Sequence, residues 1–137
     1  MSTRATITFY EGEDKLVHMY HHWDGYISGI GYDIARWLLT RNVVNGIGMD
    51  NPDGTCNGTG CLVAQFIRDF KTEAGNLYIE PINSEDSDMI DYHYKIILDP
   101  TKCGNADELT KIVVTCWDEE NPIFTGKPSD LLKFNED

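Results

Sequence analysis

The sequence predicts an α+β fold, a mostly antiparallel sheet of about five strands with two helices packed on one face. Three observations lead there. The beginning and the last third of the chain are rich in β-branched and aromatic residues, broken by Gly, Pro and acidic turns. The middle switches twice to a 3.6-residue apolar period. And 137 residues, 41% apolar and 11% aromatic, supply one core rather than two, which gives a single domain over residues 1–137 and rules out intrinsic disorder.

Residues 5–10 and 15–23 flank Glu11-Gly12-Glu13-Asp14, a hairpin signature. A loop centred on Gly12 and Glu13 pairs Tyr10 with Lys15, Phe9 with Leu16 and Ile7 with His18. That register sets Ala5, Ile7, Phe9, Leu16, His18, Tyr20 and His22 on one face, and Thr6, Thr8, Tyr10, Val17, Met19, His21 and Trp23 on the other. Next, Ile30, Ile34, Trp37 and Leu38 follow i, i+4, i+7, i+8, a helix capped by Ser28 and ending near Arg41. Residues 45–60 are dense in Gly and Pro and read as a loop or lid. A second helix over 60–72 turns Leu62, Val63, Phe66, Ile67 and Phe70 inward, with Thr59 near its start and Lys71 and Gly75 at its end. Residues 76–82, 92–99 and 111–117 read as strands. Ile123-Phe124 suggests a short strand, and Pro128-Ser129 a closing helical turn.

Charge narrows the partners. Against 11 Lys and Arg stand 23 Asp and Glu, a net −12, which repels phosphate backbones and anionic lipid. The charge is lopsided. Residues 1–72 hold six basic and eight acidic residues (−2), and residues 73–137 hold five and fifteen (−10). The acids gather at Glu80, Glu85, Asp86, Asp88 and Asp91, and again at Asp107, Glu108, Asp118, Glu119 and Glu120. One reading is a solvated surface that keeps a small protein in solution. The other is an acidic face that competes with nucleic acid for a basic groove on another protein. No apolar run approaches the roughly 20 residues that span a bilayer. The start, Met1 to Tyr10, has no signal-peptide apolar region, so a cytoplasmic location with reduced thiols is expected.

Chemistry-bearing residues are scattered. Cys56 and Cys61 enclose four residues and no C-x₂-C pair occurs, so zinc is not expected. Cys61 sits at a helix start, where backbone N–H groups favour a thiolate, but a small buried residue in the first turn is the reading preferred. His18 and His22 stand roughly 13 Å apart on one strand and cannot share a metal. Neither 84–88 nor 50–54 fits the spacing of a calcium loop. His22, Trp23, Asp24 and Tyr26 crowd the strand-to-helix junction, either as a packed corner with Asp24 capping the turn or as a ligand site. No catalytic residue, metal or cofactor is assigned.

Four stretches carry a resemblance: Met1-Ser2-Thr3-Arg4-Ala5-Thr6-Ile7, His22-Trp23-Asp24-Gly25-Tyr26, residues 57–65 (NGTGCLVAQ) and residues 123–128 (IFTGKP). Together they resemble a family of small uncharacterised proteins of bacteriophages, prophages and other mobile elements. Family members often have Pro where Ile27 stands. The resemblance implies a setting, the cytoplasm of a bacterial host, and no residue roles. The expectation is a small accessory protein that inhibits a host defence protein with a basic surface, through Glu85, Asp86, Asp88, Asp118, Glu119 and Glu120. The alternative is a sponge for a signalling nucleotide at His22, Trp23, Asp24 and Tyr26. An enzyme built on Cys61 or a histidine is the third reading.

Overall fold

A computed structural model describes residues 2–84 and 89–136. It is α+β. Strands β1 (Ala5–Glu11) and β2 (Asp14–His21) form the expected hairpin, and β5 (Leu77–Glu80) adds to β2. On the other side of β1 lie β6 (Tyr92–Leu98), β8 (Thr110–Cys116) and β9 (Phe124–Gly126). The sheet therefore has six strands in the order β5-β2-β1-β6-β8-β9, one more than expected. It is mostly antiparallel; the exception is the parallel pair β1–β6 at its centre.

The hairpin register differs from expectation by one residue. Tyr10 does face Lys15, but Phe9 then faces Val17 and Ile7 faces Met19, leaving Leu16 as an extra residue in a bulge. Because side chains alternate along a strand, that single insertion exchanges the two faces of β2. Val17, Met19 and His21 join Ala5, Ile7 and Phe9 on the inner face, while Leu16 is 37% exposed. His18 and Tyr20 turn to the outer face. There Thr8 Oγ1 lies 2.8 Å from His18 Nδ1, and Thr6 Oγ1 lies 2.6 Å from His93 Nδ1. The bulge thus buries the apolar Met19 and gives His18 a polar partner.

A π turn over Ile27–Gly31 leads into α1 (Tyr32–Leu39) with no side-chain cap, so Ser28 does not have the capping role expected of it. The helix α2 (Gly58–Phe70) begins two residues earlier than predicted. Both helices pack on the inner face. Phe66 of α2 meets Phe9 of β1 edge-on at 4.9 Å, Trp37 of α1 at 5.3 Å, and stacks on Phe70 at 4.0 Å. Residues 45–60 are not all loop. A second, three-stranded sheet sets β3 (Asn42–Val44) between β4 (Thr55–Asn57) and β7 (Gly104–Asn105). Such two- and three-residue strands have no periodicity of their own; pairing alone makes them. A turn of helix, α3 (Ala106–Leu109), precedes β8, and α4 (Pro128–Leu131) seats Leu131 in the core. Among the described residues no helix is long and apolar enough to cross a membrane.

Candidate functional site

One end of the sheet gathers charge. The register of β6 against β8 sets Tyr92 opposite Cys116, and just beyond it Trp117 N–H donates to Asp91 O at 3.1 Å. The chain around Asp91 therefore lies beside the turn that carries Asp118, Glu119 and Glu120, all exposed. Asp91 is anchored through its carboxylate, which accepts from Arg4 N–H at 2.9 Å. Arg4 Nη1 reaches Met89 Sδ at 3.4 Å. From the C-terminal segment, Glu136 accepts a hydrogen bond from Tyr92 OH at 2.7 Å and another from Ile27 N–H at 3.2 Å. Trp117, at the start of the acidic turn, and Met89, beside Arg4, are each 62% exposed. Burial raises the pKa of the Cys116 thiol, and Glu136, Asp118, Glu119 and Asp91 raise it further, a measure of the local negative field. Glu85, Asp86 and Asp88 lie outside the described residues.

The strand-to-helix corner divides into two parts. Asp24 takes a left-handed φ of 56°, and its carbonyl accepts from Ile30 N–H at 2.8 Å. The turn is thus closed by the Asp24 backbone; its carboxylate accepts from Tyr26 OH, at 3.3 Å. Gly25 must be glycine, since a Cβ there would come within 2.9 Å of both Ala5 Cβ and Thr3 O. The Gly25 carbonyl is held by the buried Tyr94 OH at 2.7 Å. His22 pairs through Nδ1 with Tyr20 OH at 2.7 Å and meets the Trp23 ring edge-on at 5.4 Å, and Tyr26 is 39% exposed.

Trp23 and Asp24 instead line a cleft of about 390 Å³ together with His21, Asp33, Trp37 and Asp69. Sequence reasoning missed His21 because the bulge at Leu16 moves it from the outer face to this one. His21 is 7% exposed, and its Nδ1 is closed to solvent. Burial lowers its pKa, with the Trp23 backbone, Asp24 and Asp33 opposing. Asp69 is held ionised, its pKa drawn down to about 2 by hydrogen bonds from Arg68 and from Trp37 Nε1 at 2.8 Å.

The His21 shift has a consequence for stability. The unfolded chain binds a proton near the ordinary value of 6.5, whereas the folded chain binds it only at lower pH. Stability is therefore unaffected above that value and falls as pH drops from it toward the folded pKa. Urea midpoints followed from about pH 8 to about pH 5 should decline for the wild type and flatten for His21→Gln. Equal slopes for the two proteins would refute this assignment.

A larger cleft of about 710 Å³ lies at the start of α2. Gln65 organises it, donating to Thr55 O at 2.9 Å and accepting from Arg41 Nη1 at 2.7 Å and Cys56 Sγ at 3.3 Å. Burial pushes the Cys56 thiol up to about 11, so it is protonated at neutral pH and not a ready nucleophile. Cys61 is half-buried in the first turn of α2, where Gln65 Nε2 lies 3.6 Å from its Sγ. Among the described residues no group of three or more His, Cys, Asp and Glu is arranged to hold a metal. Comparison with known proteins returns no matching family model, curated protein or solved structure.

Proposed function

We propose that this protein acts by binding, docking its acidic end on a basic surface of another protein and so blocking it. What supports this reading most is Trp117, 62% exposed on the turn that carries Asp118, Glu119 and Glu120 and bonded through its N–H to Asp91 O. Trp is enriched among the residues that anchor binding energy, and clustered like charge steers a complementary partner and raises the association rate. The phage and mobile-element resemblance makes a host defence protein the target class. A signalling nucleotide at the corner is the weaker reading, because Asp24, Asp33 and Asp69 outnumber the one cation, Arg36, that lines that cleft.

The test begins with capture of partners from bacterial lysate, followed by binding kinetics on a captured basic protein. Asp118→Asn/Glu119→Gln/Glu120→Gln should keep the fold, since exposed charges contribute little to stability. It should slow association, and more at ~50 mM than at ~500 mM salt. Trp117→Ala should act on dissociation instead, weakening the complex about 30-fold or more. A complex insensitive to salt and to both variants would exclude the acidic-end mechanism.

A further inference from the structure

Strand β5 is the outermost strand of the main sheet on one side and pairs with β2 alone. The direction of its backbone groups follows from one bond. His22 N–H donates to Asn76 O at 3.1 Å, and these two residues stand opposite each other, one step beyond the pair His21 and Leu77. Bonded and non-bonded pairs alternate along an antiparallel ladder, so Tyr78 and Glu80 bond to β2 while Leu77 and Ile79 turn N–H and C=O to the open edge. Lys71 agrees with that direction: its Nζ donates to the outward Leu77 O at 2.6 Å. Among the described residues nothing else bonds to these outward groups. Ile79, at the middle of the edge, is 63% exposed, and Tyr78 and Ile82 beside it are exposed as well. An apolar edge with free backbone groups is a template for another strand.

We propose that the strand docking there is β5 of a second copy of this chain, antiparallel and two-fold symmetric about Ile79, so that two main sheets join into one. Blocks on either side of Ile79 select this occupant. The Leu77 carbonyl is taken by Lys71, and Pro81 has no N–H, while its carbonyl accepts from Ser84 N–H at 3.0 Å and from Ser84 Oγ at 2.8 Å. A foreign strand would bring an N–H to the occupied Leu77 carbonyl and a carbonyl to the missing N–H of Pro81. In the two-fold register these positions face each other: Leu77, whose carbonyl is already satisfied, lies opposite Pro81, which has no donor to offer it. Ile79 of each copy exchanges N–H···O bonds with Ile79 of the other, and the two exposed side chains meet on one face. Charge agrees with the register. It sets Glu80 of one copy opposite Tyr78 of the other, and Lys71 Nζ lies over the Tyr78 ring at 5.1 Å. Each carboxylate thus comes to the ammonium of the opposite copy. The contact is short and belongs to the weak, transient class of interface. Because each chain carries −12, long-range repulsion opposes the dimer, and salt should strengthen it, the reverse of docking at the acidic end.

Sedimentation equilibrium of the full chain from ~20 μM to ~1 mM should show a monomer–dimer equilibrium with a Kd of order ~100 μM. The dimer should be about fivefold tighter at ~500 mM than at ~50 mM salt. Amide exchange followed by NMR should slow at Ile79 as concentration rises and stay unchanged at Tyr78, which is already bonded to β2. Ile79→Lys, at an exposed position, should keep the melting temperature and weaken the dimer about 30-fold or more. Trp117→Ala should leave the dimer as it is, which separates this contact from the acidic end. A chain that stays monomeric at ~1 mM in ~500 mM salt overturns the proposal, and so does a dimer that Ile79→Lys leaves intact. Protection of Ile79 that arises on adding a captured bacterial protein, and not on concentrating the chain alone, gives the edge to a foreign strand and overturns it as well.

Discussion

Phe66→Ala is expected to lower the unfolding free energy by about 3–5 kcal/mol. Phe66 is fully buried and is the ring that holds the layers together. It stacks on Phe70 at 4.0 Å and meets Phe9 and Trp37 edge-on at 4.9 and 5.3 Å, so it touches β1, α1 and its own helix at once. Removing it empties a volume that three elements share. None can close the gap without giving up contacts elsewhere, which places the cost at the upper end for a Phe. Urea unfolding followed by tryptophan fluorescence measures it directly. A change below about 1 kcal/mol would mean that α2 does not rest on β1 as described.

Gly54→Ala is expected to be nearly as costly, about 2–5 kcal/mol, through backbone strain and overpacking rather than a cavity. Gly54 has φ +89°, and a Cβ there would lie 2.2 Å from the Thr40 carbonyl oxygen, at the end of α1. The clash is with backbone and cannot be relieved by a rotamer change. Gly54 O also accepts from Asn42 N–H at 2.9 Å, the bond that starts the pairing of β3 with β4. The damage should therefore concentrate in the small sheet. Hydrogen exchange should quicken at Val43 and Cys56 before it does in β1 or β6. Uniform acceleration across both sheets, or a stability change under about 0.5 kcal/mol, would contradict the close approach of Gly54 to Thr40.

How much was legible beforehand depends on the range of the interaction involved. Phe66 and its stripe could be read because helical period is a property of a dozen consecutive residues. Two stretches of the hairpin could be read for the same reason. The register between them could not: whether Leu16 pairs or bulges turns on the burial of Met19 against the inner face and on the Thr8–His18 contact across strands. From that one residue follows the place of His21, and with it the cleft at the corner. Likewise β3 and β4 are invisible locally, since three residues between turns carry no pattern; they exist through each other and β7.

The acidic groups of the second half were plain in the residue count, but their meeting was not. Asp91 and Asp118 lie 27 positions apart and come together only because β6 and β8 pair with Tyr92 opposite Cys116. Trp117, one more aromatic at a strand end in the sequence, becomes an exposed indole within that field. The sequence by itself thus determined the α+β class, the two amphipathic helices with their inward faces, and the excess negative charge of the second half. Each of these rests on neighbours within a few residues or on a sum over composition. Only the tertiary structure decided the face of every residue in β2, the burial of His21 and the meeting of Asp91 with the turn that carries Trp117 and Asp118. Those depend on which strands pair and in what register, a choice settled by packing between segments far apart in the chain.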